Sequence, residues 1–188
     1  MSAIYPTLPF PRGSTYSDGG ILTMSDTYAQ DLEGKCYLVE DELHGPGSDV
    51  VLRVVKNDSS AAITVAKKFF GWSSTTENDF GRRVSGLASD NTCSKPMDDY
   101  YIGKLTTIPD DDLFYVVDEG NVDVLITSGS GTVSAGNQIT TAANGMGQKT
   151  ADGDFALGIA TEAGATATTT ARCVWISGGV AKTKAGGA

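Results

Sequence analysis

The alternation of apolar and polar positions is clearest in the second half of the chain. Apolar residues occupy every second position in 122–126, which is the period of a strand with one buried face. Asn144-Gly145 predicts a tight turn, because both residue types adopt a positive φ at low cost. Short apolar runs follow between positions 155 and 176. Strands this short, separated by close turn signals, predict a small β-barrel or sandwich over residues 121–180.

The first half shows the same kind of pattern more sparsely. Apolar residues cluster at 35–39 and 50–55, and the intervening Gly-Pro segment 44–47 predicts the loop of a hairpin. Further strand patterns occur at 63–65, 68–72 and 113–117. We therefore predict a β-rich subdomain over residues 31–120.

Helical signals are weak throughout, so the chain is predicted to be all-β. No segment keeps an apolar period of 3.6 residues, and only two short helices are predicted, at 25–32 and 95–104. Gly120-Asn121 joins the two β regions without a linker sequence, so we expect them to pack together. Residues 181–188, rich in Gly, Ala and Lys, are expected to form a flexible tail.

Residues 1–30 are expected to form an extended N-terminal arm. Prolines in this segment oppose both helix and sheet hydrogen bonding, and apolar side chains lie between them. The side chains suited to anchor such an arm are Tyr5, Leu8, Phe10 and Arg12. The arm can lie on a neighbouring subunit or fold back over its own domain, and the sequence leaves both open.

The charge balance and the hydropathy limit the partners. The chain carries 23 acidic against 14 basic residues, a net charge of −9, which disfavours direct contact with a nucleic acid backbone. No apolar stretch approaches the ~20 residues of a membrane span, so no membrane partner is expected. The first residues lack the basic and apolar regions of a secretory signal, and we expect synthesis in a cytoplasm.

The residue types that bind metals are few and widely spaced. Cys36, Cys93 and Cys173 do not have metal-ligand spacing, and His44 is the single histidine. We expect the three cysteines to be buried, reduced thiols. The acidic run 110–112 is interpreted as a solvated turn, because a calcium site needs about six or more oxygens around a tight loop.

No catalytic constellation is visible in the sequence. A hydrolase triad would depend on His44 alone, so we predict that the protein is not an enzyme and uses no cofactor or metal. The enzyme alternative predicts that His44→Ala abolishes activity.

A run of turn and strand motifs in the last third of the chain resembles one known family. These motifs lie at 131–136, 152–154, 158–165 and 171–176, and a strand entry at 112–120 is also similar. The family is that of the capsid decoration proteins, or cement proteins, of tailed bacteriophages.

This resemblance implies a structural virion protein made in the host bacterial cytoplasm. It would bind the outer surface of the phage capsid after the shell expands and clamp adjacent subunits against the pressure of the packaged DNA. The expected partners are the major capsid protein and further copies of the chain, as a homotrimer.

The contact residues and a second function class remain hypotheses at this point. Tyr5, Leu8, Phe10 and Arg12 are the expected capsid or intersubunit contacts, because aromatic and arginine anchors usually dominate binding. The alternative is a carbohydrate- or receptor-binding module of a virion fibre. It predicts sugar binding by the isolated protein and an exposed Trp72 or exposed tyrosine clusters.

Overall fold

The computed structural model describes residues 7–16, 31–44, 48–64, 67–73, 79–90, 92, 94–98, 107–127, 132–163, 170–175 and 181–182. The strands within these residues are β1 (Cys36–Glu40), β2 (Asp49–Asn57), β3 (Ile63–Thr64), β4 (Phe69–Trp72), β5 (Arg83–Leu87), β6 (Ser94–Pro96), β7 (Thr107–Ile108), β8 (Leu113–Leu125), β9 (Gln138–Thr141), β10 (Gly147–Lys149), β11 (Phe155–Ala156), β12 (Gly158–Ala160), β13 (Thr170–Trp175) and β14 (Ala181–Lys182).

The long strand β8 is the centre of the fold. Its residues 113–119 pair antiparallel with β2, and its residues 120–125 pair antiparallel with β13. The sheet built on it has the order β10-β9-β12-β13-β8-β2-β5-β4-β6, and β1 is added to β2. Two smaller sheets pair β11 with β14 and β3 with β7. The subdomain boundary predicted between residues 120 and 121 therefore falls inside one strand.

Alternate residues of β2 and β8 supply two hydrophobic clusters. Leu52 and Val54 belong to the larger cluster, whereas Val55 belongs to the smaller one. On β8, Tyr115 belongs to the larger cluster and Phe114 to the smaller one. The sheet is buried on both faces here, which explains why β8 begins with an unbroken apolar run instead of an alternating one. The smaller cluster comprises Val55, Ile63, Phe70, Val84, Met97, Ile108, Phe114 and Val116.

The end of β6 returns to β8. Met97 forms an isolated bridge with Val116, and the N–H of Asp98 donates to the carbonyl of Tyr115 at 3.1 Å. Because this contact is a bridge and not a ladder, the sheet does not close into a barrel within the described residues. The all-β prediction is confirmed, and the structure has the sandwich-like form of the two that the sequence allowed.

The predicted hairpin and the predicted tight turn are both present. Strands β1 and β2 pair antiparallel across the loop that the sequence marked at 44–47. Asn144 and Gly145 have φ values of 59° and 69°, and the N–H of Ala142 donates to the carbonyl of Met146 at 2.7 Å. The positive-φ residues at the turn thus let the chain reverse between β9 and β10.

Of the two predicted helices, one is wrong in its described part and the other lies mostly outside the described residues. Within the predicted helix 95–104, the described residues begin in β6, whose Lys95 pairs with Phe70 of β4, so that part of the prediction is wrong. Of the helix predicted at 25–32, only Asp31 and Leu32 are described, and both are helical. At the C-terminus, Ala181–Lys182 pairs with β11 where the sequence predicts a tail. Among the described residues, no helix is long and apolar enough to cross a membrane.

Candidate interaction surface

The N-terminal segment 7–16 lies on its own domain. Phe10 is only 6% exposed, and its ring stacks on that of Tyr115 with centroids 4.3 Å apart and planes 17° apart. The Tyr115 hydroxyl donates to the Phe10 carbonyl at 2.8 Å and accepts from the Phe10 N–H at 3.4 Å. Burial raises the pKa of Tyr115 above its ordinary value, although the bond to Phe10 opposes this effect. The hydroxyl therefore remains a donor at neutral and mildly alkaline pH.

Arg12 ties the same segment to two other elements. Its Nε and Nη2 donate to the Asp98 carboxylate at 3.1 and 2.9 Å, and its Nη1 donates to the Glu40 carbonyl at 3.2 Å. Further along, the backbones of Tyr16 and Leu113 exchange hydrogen bonds of 2.8 and 3.0 Å. A ring stack, a two-bond ion pair and a backbone bridge thus hold the segment in place.

The structure describes three of the four predicted arm anchors, and all three contact their own chain. Phe10 and Arg12 make their contacts within the chain, and Leu8 packs half-buried against the larger cluster. Tyr5 lies outside the described residues. For residues 7–16 the structure thus has the folded-back form of the arm. Contact of these residues with a capsid or a second copy stays a prediction.

A half-buried charge cluster lies at an irregularity of the β2–β8 ladder. The register shifts between Val51 and Leu52, which leaves Asp118 of β8 unpaired in the ladder as a bulge. Arg53 donates to the Asp118 carboxylate through Nε at 3.1 Å and Nη2 at 3.0 Å. Lys95 Nζ donates to the Asp118 carbonyl at 2.7 Å and lies 3.3 Å from its carboxylate.

The pKa of Asp118 reports the balance of these contacts. Burial alone raises the pKa of the carboxyl, but the hydrogen bonds from Arg53 and the charge of Lys95 outweigh it. The net result is a pKa below the ordinary value of 3.8. The cluster therefore favours the ionised carboxylate in the folded protein.

Two exposed apolar side chains flank this cluster. Leu38 is 46% exposed and Phe80 is 59% exposed. In the β1–β2 ladder Cys36 pairs with Arg53, and Leu38 follows on the same face of β1. On the other side, Arg53 Nη1 donates to the carbonyl of Gly81, which is the next residue after Phe80.

We call this region the Leu38–Phe80 surface; its residues are Cys36, Leu38, Arg53, Trp72, Phe80, Lys95 and Asp118. The Phe80 ring is supported by that of Trp72, with centroids 5.8 Å apart and planes 51° apart. Exposed aromatic and aliphatic side chains around an ordered arginine have the composition of a protein contact surface. This surface is the candidate functional site among the described residues.

His44 belongs to a buried charge network at the β1–β2 turn. Its Nδ1 lies 3.0 Å from both carboxylate oxygens of Asp41, and its Nε2 lies 3.8 Å from Asp123 Oδ1. Lys67 Nζ donates to Asp123 Oδ2 at 2.9 Å. The imidazole therefore links the turn to the second half of β8, which is a structural arrangement. We expect His44→Ala to lower the stability of the fold.

Two expectations about polar residues need correction. Cys36 is exposed, not buried, because alternation places it on the outer face of β1. Partial desolvation raises the pKa of its thiol despite the nearby Arg53. In the acidic run, Asp111 is exposed and pairs with Lys56 at 2.7 Å, but Asp112 is 4% exposed, and burial raises its pKa.

Two further predictions concern the burial of Cys93 and Cys173 and the absence of a metal site. Cys93 and the side chain of Cys173 lie outside the described residues. Within the described part of the chain, no group of three or more His, Cys, Asp or Glu could hold a metal ion.

Sequence reasoning missed the Leu38–Phe80 surface. Leu38 carried a usable signal, since it is an apolar residue between Cys36 and Glu40 on the outward face of an amphipathic strand. Phe80 lies in the segment 73–97, whose pattern is polar and irregular, so no partner could be predicted for it. Its contact with Trp72 depends on how β4 and β5 pair.

The chain is similar to a solved structure, although not to any family model or curated sequence. No protein-family model matches the chain, and no curated protein sequence matches it. The N base of the head fiber protein gp8.5 of bacteriophage phi29 is similar, with 18% sequence identity and a TM-score of 0.44. The match covers 68% of this chain and 94% of that one.

Proposed function

We propose that the chain is a capsid decoration protein of a tailed phage, which binds the outer surface of the expanded head and stabilises it. The observation that carries the proposal is that motifs resembling this family are neighbours in the fold. Strand β12 pairs with β13, and β13 pairs with the second half of β8. The motifs at 158–165 and 171–176 thus contribute adjacent strands of one sheet, which supports a shared structural unit.

The proposed mechanism is that of a clamp built from several moderate contacts. A homotrimer on a three-fold axis of the shell would engage several copies of the major capsid protein at once. Each contact after the first is then intramolecular, so modest patches add up to tight attachment. No chemical step is required, and no cofactor or metal takes part.

The Leu38–Phe80 surface is the described region best suited to meet another protein. Phe80 exposes a large apolar ring that packs against the Trp72 ring. Its side chain is therefore partly ordered already, so little conformational freedom is lost on binding. Arg53 is held at the same surface by its bonds to Asp118 and to the Gly81 carbonyl. These properties are those of interface anchors.

Binding to shells tests the function. The solution mass of the purified protein is measured by light scattering, and the protein is then sedimented with DNA-free, expanded capsids of the corresponding phage. The proposal predicts a mass near that of three chains and saturable co-sedimentation. A monomer that stays in the supernatant at all concentrations contradicts it.

The arm hypothesis has its own test. Deletion of residues 2–6 removes Tyr5 and leaves the contacts of Phe10 and Arg12 in place. If the arm contacts the capsid or a second copy, shell binding or trimer formation weakens by roughly tenfold, as for the loss of one anchor. The control is Thr7→Ala, an exposed position in the adjoining segment. Unchanged binding and unchanged mass in the deletion variant contradict the arm hypothesis.

One observation favours the alternative, a carbohydrate- or receptor-binding module of a virion fibre. The exposed Phe80 against Trp72 is an aromatic surface on which a sugar ring could stack. This alternative predicts glycan binding by the isolated protein that Phe80→Ala abolishes. The decoration proposal predicts that Phe80→Ala weakens shell binding and that glycans have no effect.

A further inference from the structure

The outer edge of β1 carries backbone groups that point away from its partner strand. The Lys35 carbonyl accepts from the Val54 N–H, and the Asp41 N–H donates to the Ser48 carbonyl, both at 2.9 Å. In an antiparallel ladder the residues directed at the partner alternate, so odd-numbered residues of β1 bond to β2. The N–H and C=O groups of the even-numbered residues, Cys36, Leu38 and Glu40, therefore face outward.

The described contacts agree with that geometry. Within the described residues β1 pairs with β2 alone, so β1 is an edge strand of this part of the sheet. The Glu40 carbonyl accepts from Arg12 Nη1 at 3.2 Å, as expected for a group at the outer edge. Leu38, at the centre of the edge, is 46% exposed. Charged side chains and prolines are among the devices that protect such an edge, and within β1 only Glu40, at its end, is charged.

We propose that β1 is a docking site for a second copy of this chain, whose β1 pairs antiparallel with it about a two-fold axis through Leu38. The outward backbone groups of Leu38 then bond to those of Leu38 in the second copy. Cys36 of each copy stands opposite Glu40 of the other. The two Leu38 side chains meet on one face of the extended sheet, which covers apolar area that the single chain exposes.

The charges along this edge favour a copy of the same chain over an unrelated strand. At the Cys36 end of β1, Arg53 and Lys95 share a single carboxylate, that of Asp118, which leaves a net positive charge there. Glu40 pairs with Asp49 at the opposite end, where two acidic side chains stand directly across from each other. A two-fold rotation about Leu38 brings the acidic end of one copy beside the basic end of the other. The edge is thus self-complementary in charge as well as in backbone direction.

The contact joins two copies and does not depend on the decoration function. On a shell this contact would link neighbouring trimers. Leu38 would then meet a second copy, and Phe80 and Arg53 would be the parts of the Leu38–Phe80 surface left to contact the capsid. Its failure leaves the decoration proposal standing, because shell binding and pairing through β1 are measured separately.

The experiment compares two matched leucines. Leu38 and Leu43 are 46% and 45% exposed, but Leu43 lies in the turn after β1 and not on its edge. Leu38→Lys and Leu43→Lys are each analysed by sedimentation equilibrium over a range of concentrations. The proposal predicts that Leu38→Lys weakens self-association at least tenfold and that Leu43→Lys leaves it unchanged.

A cross-link distinguishes direct pairing from an indirect effect. In a background with Cys36→Ser, mild oxidation of Leu38→Cys should give a disulfide-linked dimer, since the two Leu38 positions face each other. Leu43→Cys should give none. Leu38→Pro, which removes an N–H that β2 does not use, should also weaken association while the unfolding temperature stays close to that of the wild type. A wild type whose mass shows no two-fold step at any concentration, whether it is a monomer or a trimer, or equal cross-linking at both positions, overturns the proposal.

Discussion

Asp118 owes its role to a local irregularity of the backbone. The bulge in the β2–β8 ladder adds one residue to β8, and the carboxylate of that residue receives two bonds from Arg53. Lys95, from β6, adds a third connection. One side chain therefore joins three strands at the edge of the smaller hydrophobic cluster. Because its pKa is lowered in the folded state, the ionised form contributes to stability.

Asp118→Asn tests this contribution. At neutral pH we expect a loss of about 1.5–3 kcal/mol in the free energy of unfolding, the range for hydrogen bonds to charged groups. The stabilisation by Asp118 is fully present above its unfolded pKa of 3.8 and is lost as the pH falls through the lower folded pKa. The variant should therefore lack that part of the acid dependence, as measured by denaturant unfolding between neutral and acidic pH.

Asp111→Asn is the matched control for this substitution. Asp111 is 68% exposed and makes its ion pair with Lys56 at the surface. Such a pair contributes within about 1 kcal/mol, so we expect a small change in stability. Equal losses in the two variants would contradict the role assigned to Asp118.

Gly145 illustrates a residue whose turn the sequence predicts but whose packing it does not. A Cβ at this position would lie 2.5 Å from the carbonyl oxygen of Phe69, and φ is 69°. At Gly153, φ is 90° but a Cβ would meet nothing within 4 Å. We expect Gly153→Ala to cost about 1 kcal/mol for conformation alone and Gly145→Ala to cost at least ~2 kcal/mol. Thermal unfolding of both variants measures the difference, and equal shifts would contradict the close contact with Phe69.

At the level of the elements, the N-terminal segment 7–16 packs on its own domain and does not extend away from it as a free arm. The pattern of prolines and apolar side chains predicted an extended segment that needs a surface to lie on. It did not predict which surface, because the site is assembled from β8, from Asp98 after β6 and from Glu40 of β1. Contacts between residues this far apart in sequence leave no local signal in the pattern of either partner.

Phe10→Ala should therefore act as a core substitution. We expect a loss of about 3–5 kcal/mol in the free energy of unfolding, as for other buried phenylalanines. Tyr115→Phe keeps the ring stack and removes the hydroxyl bonds to Phe10, so a smaller loss of about 1 kcal/mol is expected. Urea unfolding measures both. A Phe10→Ala variant as stable as the wild type would mean that the segment does not dock on its own domain in solution.

At the scale of the whole molecule, the sequence predicted the all-β class because its strand and turn signals are local. Period-two alternation and the Asn144-Gly145 turn need no knowledge of partners. The sharing of β8 between β2 and β13 could not be predicted, since each half of that strand reads as an ordinary strand. The Leu38–Phe80 surface escaped for a similar reason, because it depends on which strands become neighbours.

We propose that the protein stabilises an assembled phage head. The most direct test is the temperature at which expanded, DNA-free shells of the corresponding phage disassemble, measured by light scattering with and without saturating protein. We expect a higher disassembly temperature at saturation and a smaller increase for Phe80→Ala. Shells that bind the protein but disassemble at the same temperature would contradict a cement role.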